Sequence, residues 1–383
     1  MLTTRQMVNL DATGPSQCQP SAAIAYSKLF MNVAPPHRTV AEDSAERNET
    51  PAGKLDQPRA VSHRFAWIGT AASVLLFATS FVVLWHIVSE VDIAELKAAF
   101  TAASARQIGL AVLFTIVSYC LLTCYDALAL RQLKAAISYR TTALASFTSY
   151  AVSFTLGFPL LTAGTVRYWI YSPKGLGGGK VASLTVIAGL TFWLGMGAVL
   201  AWSLIREAGS LAALVYTNIK INQLIGLIAA LLVAGYFVWV SLKKRAVKVQ
   251  GWRLELPGFR LSLGQMLIGA GDVCAGAGVL FVLLPGGHNI SFETFLAVYV
   301  FAAMLGIASH APGGLGVFEA TILLALSQYP REPVLGALLL FRIIYYLVPF
   351  MVALALLGAY EIRNRLRATQ RVLQADEADV PAE

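Results

Sequence analysis

The chain has 383 residues, of which 57% are hydrophobic and 13% charged, and its mean hydropathy is +0.65. Soluble domains carry about 25% charged residues, so an ordinary soluble enzyme is excluded and a polytopic membrane protein is indicated. The net charge of +8 does not point to nucleic acid, because the basic residues stand in short clusters between apolar segments, the pattern of topology-setting loops.

Residues 1–62 are rich in Pro, Ser, Ala, Thr and mixed charge and lack apolar periodicity. They read as a disordered cytoplasmic tail, and without an apolar h-region they are not a signal peptide. Apolar segments follow at about 66–88, 107–130, 141–171, 180–204, 222–242, 262–285, 291–328 and 334–360. A single crossing needs about 20 residues. Between the first two, VDIAELKAAF (91–100) reads as an interfacial helix with Val91, Leu96 and Phe100 inward. Two segments are anomalous. Residues 141–171 are broken by GFPLLTAG and residues 291–328 by HAPGGLG. Each is too long for one ordinary helix and has helix breakers at its centre.

Loop charge constrains what these two segments do. If each is a re-entrant hairpin, six segments cross and both termini are cytoplasmic. The inside regions then hold 22 of the 29 Lys and Arg residues and the outside loops 5. Models in which one or both broken segments cross fit the positive-inside rule less well. In the re-entrant model the two hairpins enter from opposite faces, each flanked by a preceding and a following span. The broken stretches also read alike: PLLTAGTVR (159–167) and PGGLGVFE (312–319) each carry Pro, then Gly, then a charge three residues on. The expected fold is therefore an all-α polytopic membrane protein of about six crossing helices plus two broken re-entrant hairpins in an inverted repeat. Residues 63–365 form the membrane domain, and 366–383 a cytoplasmic C-terminal tail.

Unwound backbone at membrane depth is tolerated only in protein or against a watery cavity. Residues 157–164 and 308–316 are expected to line such a cavity, with second half-helices starting at Gly164 and Gly316. A helix start offers free N–H groups and a positive dipole end to an anion, and glycines let a ligand approach the backbone. Alternatively Gly313, Gly314 and the other glycines only permit a tight hairpin and close packing. The intramembrane charges are Arg167, Asp272, Glu319 and Arg342, with Asp126 nearer a helix end and interfacial. Such charges pair or line a pathway. Arg167 and Glu319 occupy matching places, so either they pair as a lock, or Arg167 holds a phosphate while Glu319 and Asp272 hold an ammonium group. Arg342 either snorkels to the interface or faces the cavity.

Other matches fail. GLGGGKV (175–181) departs from a phosphate-binding loop at Lys174 and Val181, and GAGDVC (269–274) lacks the last glycine of the dinucleotide fingerprint. His310 has no second ligand nearby in sequence, and Cys18, Cys120, Cys124 and Cys274 have no zinc-site or redox spacing. No catalytic residue, cofactor or metal is predicted. Gly195 and Gly197 mark a helix–helix face, within one subunit or between two.

HAPGGLGVFEA (310–320), with FRIIYYLVP (341–349) in the following span, resembles the membrane domain of bacterial lysylphosphatidylglycerol synthase/flippases and their stand-alone membrane relatives. SYAVSFTLGFPLLTAGTVRYWIYSPKGL (149–176) and LTFWLG (190–195) are similar to the same domain, so the resemblance covers about residues 65–365. It implies a flippase domain in the bacterial inner membrane that moves an aminoacylated phospholipid to the outer leaflet. In such proteins a C-terminal soluble domain makes that lipid. Here the chain ends about 20 residues after the last span, so synthase activity is not expected. A phospholipid substrate is expected, bound by Gly164, Arg167, Asp272, Pro312, Gly313, Gly314, Gly316, Glu319 and Arg342. A transporter of a small or polyprenyl phosphate is one alternative. A non-transporting partner of a separately encoded aminoacyl-lipid synthase is another, and a homo-oligomer is open.

Overall fold

The computed structural model describes residues 93–378 except 158, 243–245, 250–251, 256, 287–288 and 310. The described residues all belong to one compact unit, 61–383. The tail at 1–62, the expected span at 66–88, Val91, His310 and the side chain of Leu96 lie outside what is described.

Helix α1 (Ile93–Ala102) is short. Among its described side chains Ala99 is buried and meets Gly336, whereas Phe100 is exposed. The expected inward Phe100 is therefore corrected: the side of this helix that packs towards Gly336 is the one carrying Ala99. Helix α2 (Ala105–Gln132) begins with a reciprocal cap, in which Gln107 N–H donates to Ser104 Oγ and Gln107 Oε1 accepts from Ser104 N–H. The first broken segment follows as α3 (Tyr139–Leu156) and α4 (Pro159–Tyr171). Then come α5 (Gly178–Arg206), α6 (Ala208–Val215) and α7 (Ile219–Leu242).

The basic loop after α7 holds a two-stranded antiparallel hairpin, β1 (Ala246–Val249) with β2 (Trp252–Glu255), in the register Val247 to Leu254 and Val249 to Trp252. It is the only strand pairing among the described residues. Alternating β-branched or aromatic and charged residues favour the strand there. Helix α8 (Phe259–Leu283) leads to the second broken segment, α9 (Phe292–Ala308) and α10 (Val317–Ala325), joined through a 3₁₀ turn at Pro312–Gly314. The last span is α11 (Arg331–Phe341), a π-helical turn at Arg342–Leu347, and α12 (Val348–Ala378), which runs past residue 365 without a break.

Among the described residues, five helical stretches are long and apolar enough to cross a membrane: 105–132, 178–206, 219–242, 259–283 and 331–367. The second arms of the broken segments are far shorter. At 1.5 Å per residue, α4 reaches roughly 20 Å and α10 roughly 14 Å, against a hydrocarbon core of about 30 Å. In each broken segment the two arms pack on one another, so the chain doubles back.

Contacts between distant loops fix the ends. Gln107 donates to Leu284 O, Thr294 Oγ1 to Glu207 Oε2, and Gln328 Nε2 to Ala213 O, which gathers the loops near 104, 207, 290 and 328 at one end. At the other end Gln265 Nε2 donates to Gln132 Oε1, and the hydroxyls of Tyr236 and Ser262 meet. The first hairpin therefore starts and finishes at the end holding 132 and 265. The second starts and finishes at the end holding 207 and 284.

The two hairpins and the spans interlock. The two leading spans, α2 and α8, pack along each other; α3 packs on α12 and α9 packs on α5. The approach of α5 to α8 is so close that a Cβ on Gly195 would fall on the backbone of Gly269, and one on Gly197 would meet Val233 of α7. Both glycines are thus faces within one chain, the first of the two possibilities their sequence left open.

Candidate functional site

The two hairpin breaks meet tip to tip. At the first, Gly157 has φ +78° and ψ −171°, a conformation essentially reserved for glycine, and a Cβ there would lie 3.5 Å from Pro312 Cα and Ala311 O. At the second, Gly313 has φ +58°, and a Cβ there would lie 3.2 Å from both Phe154 O and Arg342 Nη1. Glycine is required at both places by the backbone conformation and by the closeness of the opposing tip.

Arg342 holds the second tip. Its Nη1 donates to Gly313 O at 2.5 Å and its Nε to Glu319 Oε1 at 2.5 Å, and Nη2 forms an ion pair with the same oxygen. Nη2 makes no hydrogen bond among the described residues. The guanidinium lies 4.7 Å from the ring centre of Tyr346 and 5.6 Å from that of Phe318. Glu319 closes the cluster: its Oε2 accepts from Gly316 N–H at 2.8 Å, satisfying one of the orphan donors at the start of α10. This pair is partly open, with side-chain exposures of 15% for Arg342 and 20% for Glu319. Arg342 thus turns inward onto the break. It does not snorkel, because the start of its span is about three helical turns away, and two rings and a carboxylate hold it inside.

Arg167 does not pair with Glu319. It pairs with Asp126, donating from Nε to Oδ2 at 3.0 Å and from Nη2 to Oδ1 at 2.7 Å. Tyr171 Oη donates to Asp126 Oδ2 at 3.1 Å, and the guanidinium stands 4.8 Å from the centre of the Tyr150 ring. Exposure is 1% for Arg167 and 0% for Asp126. Asp126 is therefore buried within the protein: α4 doubles back along α3, and the fork of Arg167 reaches Asp126 on α2. Gly164 is also placed differently from expectation. Helix α4 begins at Pro159, where a missing N–H costs nothing and the fixed φ suits the first turn, so Gly164 is inside the helix. Gly316 does cap α10 as expected.

Asp272 is buried between α2 and α8. Its Oδ1 accepts from Ser118 Oγ at 2.5 Å and its Oδ2 from Tyr125 Oη at 2.9 Å. Ser118 Oγ lies 2.8 Å from Tyr345 Oη. No ion pair to Asp272 exists among the described residues. Pro312, Gly313, Gly314, Gly316, Glu319 and Arg342 are thus brought together. Arg167 belongs to a separate pair, and among the described residues the side-chain hydrogen-bond partners of Asp272 are the hydroxyls of Ser118 and Tyr125. The sequence does not single out Ser118, Tyr125, Tyr150, Tyr171 or Tyr345, because hydroxyl-bearing residues in an apolar segment give no sign of which carboxylate they will meet.

The family model of the lysylphosphatidylglycerol synthase TM region matches residues 67–353. The chain belongs to that family. It is similar to an uncharacterized protein of Synechocystis sp., with 32% identity over 271 residues, covering 70% of this chain and 84% of that one. It is also similar to the inner membrane protein YbhN of Escherichia coli, with 29% identity over 250 residues, 64% of this chain and 77% of that one. A phosphatidylglycerol lysyltransferase of Staphylococcus haemolyticus is 42% identical over 81 residues, which is 21% of this chain and 10% of that one. Membership in a lysylphosphatidylglycerol synthase TM family, together with five long apolar helices, makes the chain a multi-pass membrane protein. The family match spans both hairpins and all of Asp126, Arg167, Asp272, Glu319 and Arg342.

Proposed function

We propose that this chain translocates an amine-bearing phospholipid, of the lysylphosphatidylglycerol type, across the bacterial inner membrane. In this reading the two hairpins are re-entrant, both termini are cytoplasmic, and the protein is not an enzyme. The observation that carries it is the contact of two helix breaks, one from each end of the molecule, gripped by a half-open Arg342–Glu319 pair. A translocator needs a barrier that yields from either side, and two tips in contact supply one. When the tips part, Arg342 and the N–H groups at Gly316 would face a phosphate, and Glu319 an ammonium group. The acyl chains would remain in the bilayer, so no enclosed apolar pocket is required. The lysyltransferase similarity supports the choice of lipid, and the similarity to an inner membrane protein supports the location.

The test is a reconstitution. Purified protein in vesicles is given fluorescent lysylphosphatidylglycerol, phosphatidylglycerol, or a polyprenyl phosphate in one leaflet, and arrival in the other is followed by reductive quenching. Faster movement of the amine-bearing lipid is expected, with Arg342→Gln slowing it. Equal rates with empty vesicles for every lipid would overturn the proposal. Movement of the polyprenyl phosphate alone would reassign the substrate to a phosphate carrier without an amine.

A further inference from the structure

A buried acid with two hydroxyl donors and no cation has one reversible chemistry open to it, the gain and loss of a proton. Around Asp272 the hydroxyls form a directed chain. Its Oδ1 takes the only hydrogen of Ser118, so Tyr345 Oη is left to donate to Ser118 Oγ, while Tyr125 donates to Oδ2. If Oδ1 takes up a proton from water, the new O–H donates to Ser118. Ser118 then turns its hydrogen to Tyr345, and Tyr345 changes from donor to acceptor. One O–H bond of a hydronium ion breaks, one O–H bond to Oδ1 forms, and otherwise only the hydrogen bonds of Ser118 and Tyr345 reverse.

The chain ends where it matters for the tips. Tyr345 and Arg342 share the single π-helical turn at 342–347, and the carbonyl of Tyr345 accepts from Tyr119 Oη at 3.3 Å. Such turns often mark functional sites in helices. Space for the relay is built in: a Cβ on Gly276, one turn beyond Asp272, would lie 2.8 Å from Tyr299 Oη and 3.1 Å from Tyr345 Oη. The titratable groups around Asp272 are Tyr119 and Tyr125 from α2, Tyr150 from α3, Tyr299 from α9, Tyr345 from the π turn and Cys274 on its own helix. On α7, Tyr236 meets Ser262, about three turns from Asp272 along α8. The other intramembrane charges, Asp126 with Arg167 and Glu319 with Arg342, are each closed on their own partner.

We propose that Asp272 is a proton-binding site whose occupancy, relayed through Ser118 and Tyr345, sets the hold of Arg342 on the second hairpin tip. The coupling to transport rests on the translocation reading, but the proton site itself does not. It is tested without any added lipid substrate, on the full chain in nanodiscs. A protonated-carboxyl infrared band should appear and vanish on titration from acid to alkaline pH, be lost in Asp272→Asn and persist in Glu319→Gln. Spin labels at Leu161 and Leu315, both exposed and one on each hairpin, should change separation with the same midpoint. Tyr345→Phe should leave the band titrating and abolish the change in separation.

A band that survives Asp272→Asn, or no titrating buried band at all, overturns the site. A label separation that follows pH undiminished in Tyr345→Phe overturns the relay. Should Asp272→Asn fail to give monodisperse protein, Tyr125→Phe replaces it, because loss of that donor must displace the midpoint of the Asp272 band; an unmoved midpoint overturns the site. If no lipid is moved but the band and the separation behave as stated, the proton site stands and the translocation reading falls.

Discussion

The two hairpins carry charges in matching places, Arg167 and Glu319, yet the first pairs with the preceding span and the second with the following one, and the pairs are built for different ends. In the first, Arg167 and Asp126 are sealed, forked together and backed by Tyr171 and Tyr150. In the second, Arg342 and Glu319 are partly open, and both spend bonds on the backbone of the break itself, at Gly313 O and Gly316 N–H. A sealed pair in apolar surroundings resists separation, since each charge would be stranded if its partner left. A half-open pair that also holds the backbone at Gly313 and Gly316 is the one that, in the proposed translocation, would exchange its partner for a ligand. In the proposed translocation the first hairpin would be the fixed wall and the second the moving part.

The contrast is broken or sharpened by substitution. The largest effect is expected for Arg167→Ala, which strands the Asp126 carboxylate at a cost of about 3–5 kcal/mol. It should appear as loss of monodisperse protein or a large fall in Tm. The double variant Asp126→Leu with Arg167→Met removes both charges and should recover most of the loss. A wild-type Tm for Arg167→Ala would show that the first pair is no lock. Next comes Gly313→Ala. Its left-handed backbone costs an alanine about 1–2 kcal/mol, and the added methyl presses on Phe154 O and Arg342. Gly109→Ala is the control, since a Cβ there meets nothing within 4 Å. The Gly313 variant should lower both Tm and lipid movement, while the control, inside helix α2, should leave lipid movement unchanged and hold or slightly raise Tm. The smallest effect on stability is expected for Arg342→Gln, about 1 kcal/mol for a substitution that loses the bond to Gly313 O but keeps a donor towards Glu319. Its transport loss should be several-fold. If Arg342→Gln unfolds as Arg167→Ala does, the two pairs are alike and the second hairpin is not a moving part.

Part of this site is legible in the amino-acid sequence. PGGLGVFE declares itself, because glycines and a carboxylate in an apolar run have no place in a buried helix, and the stretch does supply Gly313, Gly316 and Glu319 to one cluster. The partner of Glu319 is not legible there. Arg342 is 23 residues further on, and nothing in the sequence distinguishes a side chain that turns inward from one that climbs to the interface. Asp126 is misplaced by sequence reasoning for a related reason: its position near a helix end describes its depth along α2, not the neighbour that α4 brings to it. Gly164 misleads through its resemblance to Gly316. Proline starts a helix more firmly than an isolated glycine ends one, so α4 begins five residues earlier.

Apolar length and the clustering of basic residues, acting through the cost of putting polar groups into hydrocarbon, determined by themselves that this is a helical, multi-pass membrane protein with two interrupted segments. Those are properties of a chain and its solvent, and they need no knowledge of neighbours. Which charge meets which, how tightly the tips close, and that Asp272 sits among hydroxyls without a cation were decided only by tertiary structure. Pairing energies depend on distances between residues remote in the chain, and the packing of α2 against α8 and of each hairpin against the opposite repeat sets those distances.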